Sequence, residues 1–196
     1  MEKQNSTDIL KFLEIVGRLK HIERTGWVLR DVNEPRECIA GHMYRMALMT
    51  FLLDDRSGLD RNRCLQIALV HDLAEAIVGD LTPFCGVDPV EKHRREDEAM
   101  KEIVSLVGDQ GQYIYDLFKE YETQSSDEAK FVKDIDRFDM VLQAFEYEKR
   151  ANQPGTLQEF FDSTKDKFKH PMIQDLCTEL DAQRVLYETT SQNGQN

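Results

Sequence analysis

Apolar residues recur every three or four positions along almost the whole of this chain. That period is the one an α-helix needs to turn a stripe of side chains toward a core, so the pattern confines the chain to an all-α fold. Ile9, Leu10, Phe12, Leu13, Val16 and Leu19 mark a first helix capped at Ser6 or Thr7 and stopped near Thr25-Gly26, with the following WVLRDV extended at best. The same period runs through IAGHMYRMALMTFLL, RNRCLQIALVHDLAEAIV, VEKHRREDEAMKEIVSLV, QYIYDLFKEYE, SDEAKFVKDIDRFDMVLQAFEYEKR, LQEFFDSTKDKF and PMIQDLCTELDAQRVLYE. The second of these reads as one helix from about residue 61 to 78. Glycines and prolines at 54–60, 80–89 and 151–156 end helices without making a segment long enough to link domains. A chain of 196 residues, 40% hydrophobic, can bury one sizeable core, so a single-domain helical bundle over residues 1–188 is expected. The polar residues 189–196 read as a disordered C-terminal tail.

Charge narrows the partners. Lys and Arg number 25 against 37 for Asp and Glu, and the net charge of −12 repels polynucleotide backbones and anionic membrane surfaces. A small anion is still admissible, because a local cation outweighs the global field at short range. Cys38, Cys64, Cys85 and Cys177 are too scattered for a metal knuckle or a disulfide framework and read as reduced thiols. No apolar run is long enough to cross a membrane, so the reading is of a soluble, cytoplasmic protein.

The chemistry concentrates in ALVHDLAEAIVGDLTP, residues 68–83. On a continuous helix His71 and Glu75 share a face and Asp72 can lean toward it, while Gly79 ends the helix and leaves Asp80 on a turn able to reach the same point. His42 on the preceding helix and Asp136 on a later one would complete a metal set at the bundle core. Such a mixture of nitrogen and oxygen donors is too rich in carboxylate for a structural zinc site and suits Mn, Co, Fe, Ni or Mg with open positions.

The ordered set His42, His71-Asp72 and Asp136 resembles the metal signature of the HD-domain phosphohydrolase superfamily. The strings HDLAEAIVGDLTP, HMYRMA, KHRREDEAM, YETQSSDEAKFVKDID and RTGWVLR are similar to its 5′-deoxynucleotidase family, eukaryotic branch, over residues 8 to 185. The resemblance implies a helical bundle of the HD-domain type, usually a homodimer, releasing phosphate from deoxyribonucleoside 5′-monophosphates with a divalent cation, Mn, Co or Mg. It implies that His42, His71, Asp72 and Asp136 hold the metal and that Glu75 and Asp80 serve catalysis or, in part, a second ion. Arg24 and Trp27 match the element that contacts the nucleotide and helps select the sugar. Arg45, one turn after His42, is a candidate phosphate contact.

The chain departs from that family at Ala40-Gly41, where members carry a small polar residue and an acid; the change removes a group that could orient the His42 imidazole. It motivates one alternative, a catalytically weakened domain that binds nucleotides or serves as a scaffold. The other alternative is a related hydrolase acting on a different nucleotide, though Glu75-Ala76 lacks the Glu-Asp pair of alarmone hydrolases. His93, Arg94 and Arg95 read as a solvated helix face, with drawing phosphate toward the site as their alternative.

Overall fold

The computed structural model describes residues 5–33 and 35–193 and is all-helical, as expected. In chain order its helices are α1 (Ser6–Arg18), α2 (Thr25–Val28), α3 (Ile39–Thr50), α4 (Arg61–Ala68) and α5 (Glu75–Val78), then α6 (Pro89–Ser105), α7 (Asp109–Thr123), α8 (Asp127–Ala151), α9 (Gln158–Thr164) and α10 (Pro171–Asn193). A lone antiparallel bridge joins Glu23 to Cys38, and no strand occurs among the described residues. The chain divides into two compact units, Met1–Ala129 and Lys130–Asn196, with the division inside α8.

In the first unit α3 packs on α4, α6 on α7, and α1 and α6 close over α5. Ile15, Leu19, Ile39, Met43, Leu73, Ala76, Met100, Ile103 and Phe118 form one buried cluster there. Three local expectations change. Asn5, not Ser6 or Thr7, caps α1, its side chain accepting from Thr7 N at 3.0 Å. The first helix stops at Arg18 instead of running to Thr25. Trp27 and Val28, expected in extended chain, lie in the short helix α2. The cause of that last difference is long-range: Arg24, the residue before α2, gives no side-chain cap, and the free Thr25 N–H is taken by Asp80 Oδ2 at 2.6 Å.

The expected helix over 61–78 is also broken, with residues 69–74 forming tight turns between α4 and α5. Val70, Leu73 and Glu75 N–H groups each bond the carbonyl three residues back. The Ala68 carbonyl, the ordinary α-helical acceptor for the Asp72 amide, receives His71 Nδ1 at 3.0 Å. Tighter winding of this kind aligns residues three apart, so Asp72 and Glu75 become the pair on one face instead of His71 and Glu75.

The second unit is organised around a buried ion pair. Glu148, with no exposed surface, accepts from Arg184 Nε and NH2 at 2.8 and 3.0 Å and from the Leu157 amide at 2.9 Å. Asp134 caps the approach to α10, accepting from the Lys169 and His170 amides at 2.6 and 2.7 Å. Residues 189–193, expected in a disordered tail, continue α10, and 194–196 lie outside the described residues.

Candidate metal centre

His42, on the first turn of α3, and His71 and Asp72, in the turns between α4 and α5, bring one potential ligand atom each within 4.8 Å of the others. Asp72 Oδ2 lies 3.2 Å from His71 Nε2 and 3.8 Å from His42 Nε2, and the two rings meet edge-on with centroids 5.5 Å apart. A carbonyl oxygen cannot donate, so the contact with Ala68 O fixes the proton of neutral His71 on Nδ1 and leaves the Nε2 lone pair for a ligand. His71 Nε2 is buried with no hydrogen-bond partner among the described residues, and so is Glu75 Oε2. Buried polar atoms ordinarily find partners, and a buried imidazole nitrogen beside a carboxylate is what a divalent ion accepts as ligand. The residues therefore fit a metal.

The electrostatics separate the two acids. Burial alone would raise the Asp72 pKa, but His71 and His42, whenever their rings carry the extra proton, and Arg24 hold its carboxyl below the ordinary range, so it stays an anion. Arg24 NH1 reaches the same Oδ2 at 3.1 Å. Glu75 behaves oppositely: burial, reinforced by the Asp72 and Asp80 charges, pushes its carboxyl well above the ordinary value despite Arg24 and Lys92. Two acids three residues apart are thus held in opposite protonation tendencies.

Asp80 departs from expectation. Gly79 takes φ +77° and ψ 171°, a conformation open to glycine, and turns the chain so that Asp80 faces α2. There it is held rather than free to swing, its carboxylate on the Thr25 amide and its backbone carbonyl receiving Thr25 Oγ1 at 2.7 Å. Asp136 lies on α8 in the second unit, where it accepts from Lys133 Nζ at 2.8 Å. Leu69, on the turn after α4, is 48% exposed.

The nucleotide-side candidates cluster on a residue that sequence reasoning missed. Glu37 Oε2 accepts from Trp27 Nε1 at 3.1 Å and Glu37 Oε1 from Arg45 NH2 at 3.4 Å. A carboxylate oxygen of Glu37 also lies within 4.8 Å of a His42 ring nitrogen, so an acid faces this histidine although Gly41 does not supply one. Glu37 sits in a polar loop with no periodic signal, and only the closure of the Glu23–Cys38 bridge brings it inward. Lys92, also missed, donates to the Leu81 carbonyl at 2.7 Å and pairs with Glu96 at 3.4 Å. Arg94 and Arg95 pair with Glu91 and Glu98 on the α6 surface, the structural reading of that basic run. A cleft of about 720 Å³ in the second unit, bordered by Phe161, Lys165, Cys177 and Arg184, contains none of the candidate residues.

Residues 16–176 match the HD domain family. The chain is 51% identical over 185 residues to the Bos taurus protein named 5'-deoxynucleotidase HDDC2, covering 94% of this chain and 89% of that one. It is 53% identical over 178 residues to the Mus musculus protein of the same name, covering 90% and 88%. The crystal structure of PH0347 from Pyrococcus horikoshii OT3 is similar with a TM-score of 0.72 at 28% identity, covering 89% of this chain and 99% of that one. The matched span takes in His42, His71, Asp72 and Asp136 alike, and the chain belongs to the HD domain family.

Proposed function

We propose that the chain is a divalent-metal-dependent 5′-deoxynucleotidase, hydrolysing deoxyribonucleoside 5′-monophosphates to deoxynucleosides and phosphate. The observation that carries the reading is the buried group His42, His71 and Asp72 with Arg24 laid against it, in a chain about half identical to proteins named for that activity. His42, His71 and Asp72 would hold the ion, with Asp136 as the further ligand the resemblance implies, and Mn, Co or Mg fits the donor set. When bound, such an ion supplies Lewis-acid polarisation of a phosphoryl oxygen and a stronger water nucleophile at neutral pH.

The remaining steps fall to side chains. Arg24, fixed on Asp72, presents a guanidinium to the phosphate, and Arg45 adds positive charge from α3. Asp80 orients the attacking water. Glu75, which retains its proton more strongly than an ordinary carboxyl, delivers it to the departing 5′ oxygen. Trp27 closes the 2′ edge of the sugar, where an added hydroxyl would press on the indole. Residues 1–188 act as one HD domain, a reading supported by the family match spanning both compact units.

The test is phosphate release from paired deoxy- and ribonucleoside 5′-monophosphates by metal-stripped protein with Mn, Co, Mg and Zn restored singly. Release from the deoxy series with at least one ion is expected; none under any condition returns the chain to a nucleotide-binding or scaffold role. The chain also forms a homodimer in this reading, through the exposed apolar stripe Tyr44, Leu48, Phe51 and Leu52 along and just past α3. Light scattering is expected to give twice the 22.8 kDa chain mass, and a value near 22.8 kDa at micromolar concentration ends that part of the proposal. No helix among the described residues is long and apolar enough to cross a membrane; residence in the cytoplasm is part of the same proposal.

A further inference from the structure

We infer that Glu37 is the positioning residue for sugar selection, fixing Trp27 and Arg45 through one buried carboxylate. The inference rests on the deoxynucleotidase reading above and deepens it. The Glu37 side chain is 8% exposed, and its two oxygens are divided between the Trp27 indole N–H and the Arg45 guanidinium. Its own backbone is held too, because the Glu37 carbonyl accepts from the Arg24 amide at 3.0 Å and the next residue closes the bridge to Glu23. One residue therefore ties the loop carrying Arg24, the one-turn helix carrying Trp27 and the α3 face carrying Arg45.

A wall that excludes a hydroxyl works only if it does not move. Trp27 stands on a four-residue helix, too short to be stable by its own hydrogen bonds. The indole has two rotatable bonds, and a hydrogen bond from Nε1 to a fixed, charged acceptor removes their freedom. Without that acceptor the ring can yield to a 2′-hydroxyl, and Arg45 loses a partner that sets its direction. Through Trp27 and Arg45, Glu37 acts on discrimination.

Trp27 is the only tryptophan in the chain, so its emission reads the same contact without turnover. The wild type, Glu37→Ala and Glu37→Gln are compared in two measurements: acrylamide quenching of the metal-free protein, and kcat and KM for dAMP and AMP with the best metal. For Glu37→Ala we expect quenching to rise about two-fold and the dAMP-to-AMP ratio of kcat/KM to fall about ten-fold, chiefly through KM, since one lost orienting hydrogen bond is worth about that factor. The amide oxygen of Glu37→Gln still accepts from the indole, so this variant is expected to recover the wild-type quenching and most of the preference. An unchanged ratio in a folded Glu37→Ala chain, or a Glu37→Gln chain as altered in quenching as Glu37→Ala, overturns the inference while the activity stands. A wild type inert toward every deoxynucleotide overturns the activity and this inference with it.

Discussion

A Glu75→Gln chain is expected to release phosphate about 10²- to 10⁴-fold more slowly than the wild type, the range for loss of a positioned acid or base. The same metal-free chain is expected to unfold at a higher temperature at neutral pH. Both follow from one placement. Glu75 is 4% exposed, its Oε2 has no hydrogen-bond partner among the described residues, and the charges of Asp72 and Asp80 oppose its ionisation. The folded state therefore holds the Glu75 proton more tightly than the unfolded chain, whose carboxyl titrates near 4.5. Below that value both states are protonated and nothing is lost. As pH rises past it, the unfolded state ionises first and gains stability over the folded one until the folded group also ionises. An amide never titrates, so the melting-temperature advantage of Glu75→Gln should be absent near about pH 4 and grow toward neutrality. Calorimetry with a chelator, alongside kcat with metal restored, measures both. Lower activity together with lower stability at every pH would make Glu75 a packing residue instead.

Glu148→Leu is expected to cost about 3–5 kcal/mol of unfolding free energy, the cost of leaving a buried charge unmatched. Arg184 is 9% exposed in its side chain, donates two hydrogen bonds to Glu148 and one to Gln158, and lies over the Phe161 ring at 3.9 Å. Removing the carboxylate orphans the Leu157 amide and leaves that guanidinium only the Gln158 hydrogen bond and the longer Glu188 contact at 3.7 Å. The double variant Glu148→Leu/Arg184→Met is expected to recover much of the loss, because an apolar pair leaves no charge buried. Urea denaturation of the metal-free protein reads both; a loss under about 1 kcal/mol for the single variant would show the pair to be a surface-type ion pair.

The chain itself determined the class of fold and most of the metal group. Helical periodicity is a local property, and it marked the amphipathic segments from which α3, α6, α7 and α8 form. The chemistry of His42, His71 and Asp72 is carried by residue type and order, which is why a sequence can announce it. Ser126 likewise accepts from the Ala129 amide at 3.0 Å, a contact confined to neighbours.

Tertiary structure decided the rest. That Trp27 sits in a helix depends on an Asp80 carboxylate 55 residues beyond Thr25, and that Asp80 is held rather than mobile depends on the same contact. The break at 69–74 carries a ring-to-carbonyl bond from His71, which propensity does not encode. Glu37 has no pattern at all until a bridge folds its loop inward against Trp27 and Arg45. Residue type and spacing specify what a side chain can do, since both are written along the chain. Which groups lose water, which acid keeps its proton and which ring is held still are set by neighbours distant in sequence, because solvation and hydrogen bonding act through space.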